Sequence, residues 1–184
     1  MKETFFTFVL FDNLNNIAKE SFEELFNTFD IKYEFSNSRL IIHGDLFDDL
    51  KESIKSLLQD IDEQIYAFEG FRVRNIKDID VINENFKKYH FNNYMKISDL
   101  LLKTNEQETN KLKNIVISRI KEDDYLRQII FAMFENNLNV SKTASSVYMH
   151  RNSVNNKLEL IEKETGLNIQ LFNEAVTMYN LLRK

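Results

Sequence analysis

With 184 residues, no cysteine, no proline and three glycines, the chain has no disulfide or thiol chemistry. It also cannot write a dinucleotide, phosphate-loop or nucleophile-elbow glycine pattern. A formal charge of −5 argues against nucleic acid for the chain as a whole, and no apolar run approaches the roughly 20 residues of a membrane span.

Hydrophobic residues at 43% and charged residues at 29% suit packed cores, in one large domain or two small ones. The opening "MKETFFTFVLFDN" lacks the small-residue cleavage site of a signal peptide, and with the missing cysteines it suits a cytoplasmic protein. "TFFTFVLF" (4–11) reads as a buried strand. "NNIAKESFEELFNTF" (15–29) sets Ile17, Phe22, Leu25, Phe26 and Phe29 on one helical stripe. "IKYEF" and "RLIIHG" flank the turn "SNS" as a hairpin. A helix follows over 45–61, with Asp45 as its cap and Asp48 in capping-box spacing. "QIYAFEGFRV" (64–73) is the next strand. The order β-α-β-β-α-β predicts a ferredoxin-like, four-stranded sheet with helices on one face, the first part of an α+β protein.

From Ile76 the pattern is helical: 76–89, then "ISDLLLKT" and "ETNKLKNIVISRIKE", with the polar "TNEQETN" (104–110) as a loop or helix start. Asp123 or Asp124 caps the helix that carries Leu126, Ile129, Ile130, Met133 and Phe134, and Asn136 and Asn137 suit its end. The boundaries expected are an α/β domain over 1–90, a helical connector over 91–121 and an all-α helix-turn-helix domain over 122–184.

Charge is uneven. Residues 139–184 hold Lys142, Arg151, Lys157, Lys163, Arg183 and Lys184 against Glu159, Glu162, Glu164 and Glu174, a net +2 that leaves −7 for residues 1–138. This basic end contains "NVSKTASSVYMHRNSVNNKLELIEKETGL" (139–167). Asn139 or Ser141 can cap a short helix with Val140, Ala144 and Val147 inside. His150 can cap a second helix with Val154, Leu158 and Ile161 inside, ended by Gly166. A helix-turn-helix needs a small residue at the helix crossing, which Ala144 supplies, and polar side chains on the first turns of its second helix. Arg151, Asn152, Ser153, Asn155, Asn156 and Lys157 stand there, while Lys142 is set to reach the DNA backbone.

The same stretch resembles the C-terminal helix-turn-helix of PucR/CdaR-type bacterial transcriptional regulators. Their pattern N-V-[ST]-x-[TA]-A-x-x-L-x-V-H-R-N-[TS]-[VL]-x-x-[RK]-L-x-x-I-E-x-x-T-G-L is met at most positions from Asn139 to Leu167 around "HRNS", with Val147 in place of a common Leu, and the likeness covers about residues 97–184. The resemblance implies double-stranded DNA as partner and a homodimer, through the terminal helix or the Phe-rich N-terminal domain. The contact set implied is Ser141, Lys142, Thr143, His150, Arg151, Asn152, Ser153, Asn155, Asn156 and Lys157. It implies no cofactor, no metal, no membrane and no enzymatic activity, and the sequence identifies no small-molecule effector. Asn155 and Asn156 stand where relatives carry basic or aromatic residues, and Leu160 where they often carry Arg. Fewer cations flatten the salt dependence by about one unit per lost phosphate contact.

In such regulators a degenerate GGDEF-like domain often precedes this module, and the element order of residues 4–73 fits it. The cyclase signature is absent: the central hairpin reads "EFSNSRL", and Asp12 alone stands near the end of strand one. His43 and His90 have no Cys partners and are not expected to bind metal. The rival reading is a protein-interaction or ligand-sensing protein that keeps the helix-turn-helix fold without binding DNA.

Overall fold

Five successive buried positions, Thr7 to Phe11, make β1 (Thr7–Asp12) the strand around which the first half of the chain is built. A strand buried on both faces needs cover on both, and the computed structural model supplies it. The structure describes residues 5–61 and 63–183 and divides into two units, Met1–Thr104 and Asn105–Lys184.

In the first unit β1 is followed by α1 (Asn16–Asn27), the hairpin β2 (Tyr33–Ser36) and β3 (Arg39–Ile42), α2 (Asp48–Asp60), β4 (Tyr66–Glu69), α3 (Ile76–Tyr89), β5 (Tyr94–Met95) and α4 (Ile97–Lys103). The strands lie in the order β2-β3-β1-β4-β5. All neighbours are antiparallel except β4 and β5. The first four strands therefore have the ferredoxin-like arrangement expected, and the chain is α+β.

Two expectations are corrected. The sheet has five strands, because α3 serves as the crossover that brings β5 parallel to β4. Helices also cover both faces. Val9 and Phe11 join Phe22 and Phe26 of α1 and Leu50 and Ile54 of α2 on one side. Phe8 stacks on Phe68, and Phe68 meets Phe86 of α3 on the other. Arg39 of β3 ties that second face to Asp80 of α3 at 2.5 Å.

Asp45 does not cap α2. Phe47 occupies the N-cap position without a side-chain hydrogen bond, and Asp45 instead accepts from Arg72 Nε and one guanidinium nitrogen at 2.6 and 2.9 Å. A bidentate charged pair satisfies that carboxylate more fully than one backbone N–H. Asp48 and Asp49 still favour the helix start electrostatically.

The strand expected over 64–73 is interrupted. Gly70 lies opposite Phe8, where a Cβ would sit 2.2 Å from the Phe8 carbonyl oxygen, so only glycine fits. One extra residue then separates Gly70 from the bridge of Phe6 to Val73, which is a β-bulge.

The stretch expected as a connector, 91–121, contributes β5 and α4 to the first unit and α5 (Glu106–Val116) and α6 (Ser118–Glu122) to the second. Asn105 and Glu108 form a capping box on α5. The second unit continues with α7 (Asp124–Glu135), α8 (Val140–Ser146), α9 (Arg151–Thr165) and α10 (Phe172–Arg183). Asp123, rather than Asp124, caps α7 by accepting from the backbone of Tyr125 and Leu126. No described helix is long and apolar enough to cross a membrane.

Under α2, Lys51 bridges Glu69 at 3.0 Å and Asp48 at 3.4 Å, beside the buried hydroxyl of Tyr94. Burial works against the Lys51 charge, but the carboxylates of Glu69 and then Asp48 outweigh it, so its pKa lies above the usual lysine value. Burial, followed by the Glu69 charge, raises the Tyr94 pKa as well. Both groups hold their protons more tightly folded than unfolded. Stability is therefore fully present below about pH 10 and falls as pH rises above it. Thermal melts between about pH 8 and pH 11 should show this loss, and Tyr94→Phe should flatten it. An equally steep loss in the variant would mean that Tyr94 is not its source.

Candidate nucleic-acid interface

The second unit turns twice on residues that take the left-handed conformation without being glycine. At the end of α7, Asn137 (φ 53°) and Leu138 (φ 60°) reverse the chain, and the Leu138 N–H donates to the Met133 carbonyl at 2.7 Å. At the end of α8, Tyr148 (φ 54°) does the same, and the Met149 N–H donates to the Ala144 carbonyl at 2.9 Å. These bonds satisfy carbonyls that a helix end would otherwise leave open. They also set α8 and α9 at a short, fixed turn.

Packing locks that turn. Ala144 is buried, as the close crossing of two helices requires, and Val154, Leu158 and Ile161 bury one stripe of α9. Asn139 caps α8 by accepting from the Lys142 N–H at 3.0 Å. His150 caps α9, its Nδ1 accepting from the Asn152 N–H at 3.2 Å. Gly166 (φ 70°) ends α9 in the left-handed conformation, as its position predicts.

Nine of the ten expected contact residues reach the surface of this helix pair. Ser141, Lys142, His150, Arg151, Asn152 and Asn156 are exposed, and Ser153, Asn155 and Lys157 are half-buried. By the helical repeat, Asn152 and Asn156 lie on the crest of α9, with Arg151 and Asn155 on one shoulder and Ser153 and Lys157 on the other. Thr143 is the correction. It is fully buried, and its hydroxyl donates to the Ala132 carbonyl at 3.4 Å, because position 143 falls on the face of α8 that packs against α7. A buried hydroxyl needs a partner inside the protein and is not on offer to DNA.

The electrostatics follow from the same geometry. Residues 136–158 contain no Asp or Glu, while Lys142, Arg151 and Lys157 stand among them. Among the described residues, none of these three cations is within ion-pairing distance of a carboxylate. The first carboxylate of α9, Glu159, comes about two turns beyond Asn152. The start of α9 also presents the positive end of the helix dipole.

Residues 126–183 match the PucR C-terminal helix-turn-helix domain family. This end of the chain is similar to a PucR-type helix-turn-helix. The match supports a role in transcription regulation. No curated protein matches the chain. A solved structure described as a regulator of polyketide synthase expression, from Bifidobacterium adolescentis, is similar over 98% of this chain and 78% of that one, with 10% identity and a TM-score of 0.45.

One residue of the helix pair escaped the sequence reading. Tyr148 is 97% exposed in the turn immediately before α9. An aromatic residue between two polar-surfaced helices was the available signal. The histidines outside the helix pair lie against carboxylates. His43 Nε2 is 3.0 Å from Glu34, and His90 Nε2 is 3.0 Å from Asp12.

Holding Tyr148 left-handed costs about 1–2 kcal/mol, and its ring packs on nothing that would offset this. Tyr148→Gly should therefore leave stability unchanged or raise it by up to about 1 kcal/mol, since glycine returns part of the gain as backbone entropy. Chemical denaturation checks it, and a loss beyond about 1 kcal/mol would show that the ring does pack.

Proposed function

We propose that this protein is a sequence-specific DNA-binding transcriptional regulator that reads the major groove with the start of α9 and acts as a dimer. The observation that carries the reading is the carboxylate-free run 136–158 in an otherwise acidic chain, with Lys142, Arg151, Asn152 and Asn156 exposed on it.

The roles follow from side-chain chemistry. Arg151 is suited to fork onto guanine, and Asn152 and Asn156 to pair in bidentate fashion with adenine. Ser141 and Lys142, with the first amides of α9, are suited to phosphates, which position the helix without reading sequence. His150 holds the first turn of α9 in shape. Tyr148 joins the contact set as an exposed ring beside it, able to meet a thymine methyl or a phosphate. With three cations in this stretch, affinity depends less steeply on salt than in more basic helix-turn-helix domains. A degenerate GGDEF-like origin for the first unit rests on its element order, and the unit would then act as a sensor or dimer contact.

Selection of bound fragments from a random duplex library, followed by titration of the best site at several salt concentrations, tests the reading. A recurring palindromic motif and a negative salt slope are expected. Arg151→Ala should cost about 1–3 kcal/mol and relax preference at one base position. No enriched motif, with residual binding indifferent to Arg151→Ala, would sink it in favour of a protein-interaction module.

A further inference from the structure

Tyr148 is the side chain that the helix pair itself does least to explain. Its backbone is left-handed (φ 54°), a conformation that glycine or asparagine takes at lower cost. Its ring is 97% exposed, while Val147 and Met149 on either side are half-buried. Among the described residues the ring meets no other aromatic and no cation, and the hydroxyl has no hydrogen-bond partner. Between Phe131 and Leu171 it is the one large apolar side chain that is exposed.

Its surroundings say what it faces. The turn that carries it leads directly into α9, three residues before Arg151, and the run 136–158 around it holds three cations and no carboxylate. That charge pattern suits a polyanion. Every other exposed side chain of the proposed contact set ends in a hydroxyl, amide, imidazole or cationic group. Such groups read hydrogen-bond donors and acceptors. Thymine is the base that presents an apolar group, its C5-methyl, in the major groove. Asparagine pairs with the adenine opposite it, and Asn152 is exposed four positions beyond Tyr148. The two side chains are thus matched to opposite strands of an A·T-rich step. A phosphate contact would use only the hydroxyl and leave the ring in water.

We infer that Tyr148 is a specificity-determining residue whose ring covers the C5-methyl of a thymine next to the adenine read by Asn152. The inference rests on the DNA-binding proposal and deepens it. The half-site carries A·T pairs beside the guanine suited to Arg151, and both strands are read.

Titration of the selected duplex, with each thymine replaced in turn by deoxyuridine, tests it for wild type, Tyr148→Phe and Tyr148→Gly. The replacement removes one methyl group. At one thymine of each half-site, wild type should lose about fourfold in affinity, the worth of one buried methyl. Tyr148→Phe should keep that preference, because the ring carries it. Tyr148→Gly should bind the thymine and deoxyuridine duplexes equally, with its salt slope unchanged because no phosphate contact is lost. It should also keep its preference at the guanine, which a misfolded helix pair could not do. A Tyr148→Gly protein that still distinguishes thymine from deoxyuridine overturns the inference, and so does a wild type that ignores every replacement. Loss of the preference in Tyr148→Phe as well would overturn it in favour of a hydroxyl contact. Arg151→Ala separates the two proposals. If it relaxes base preference while Tyr148→Gly changes nothing, the DNA reading stands and the inference falls. If no duplex is enriched, both fall.

Discussion

Two turns on left-handed residues with full side chains, one at Asn137 and Leu138 and one at Tyr148, hold the second unit in its shape. Each lets a following N–H reach back to the last turn of the helix before it, so the chain reverses within a few residues at both ends of α8. Everything presented at the surface of the helix pair depends on those reversals. They decide that Thr143 and Ala144 face α7 and α9, that His150 reaches the first turn of α9, and that Arg151, Asn152 and Asn156 emerge from the domain. Asparagine accepts this backbone conformation readily, whereas tyrosine and leucine do so at a cost. Strain of this kind persists where the surrounding packing over-determines it, and it often accompanies function.

The polar surface built this way is thinly charged. Three cations and no carboxylate make a face that attracts phosphate moderately, while hydrogen-bonding side chains outnumber them at the start of α9. Under the proposed DNA-binding reading, such a surface would favour discrimination over non-specific grip, because counterion release grows with the number of phosphates neutralised and base-edge hydrogen bonds do not.

The first unit answers a different constraint. A central strand with five successive buried residues can exist only between two covered faces. Phe residues fill both layers: Phe11, Phe22 and Phe26 beneath α1 and α2, and Phe8, Phe68 and Phe86 beneath α3. The polar bridge of Lys51 to Glu69 sits at the margin of one layer, where partial burial strengthens the ion pair without leaving the lysine unpaired.

Much of this was legible in the residues. Helices with an Asn, Asp or His cap read correctly from their spacing, including α7, α8 and α9, and so did the β-α-β-β-α-β order, although Ile17 of α1, expected on its apolar stripe, is 75% exposed. These features are set by neighbours three or four positions apart along the chain. What could not be read there were pairings between residues distant in sequence. β5 is two residues long and is a strand only because it lies beside β4. Asp45 has a cap's position but a stronger partner in Arg72, 27 residues on. Thr143 fits a contact pattern yet points into the core, because the packing of α8 on α7 fixes which face is hidden. The bulge at Gly70 likewise needs two segments brought together. Local periodicity and capping therefore determined what the elements are; tertiary packing decided which of their side chains face the solvent.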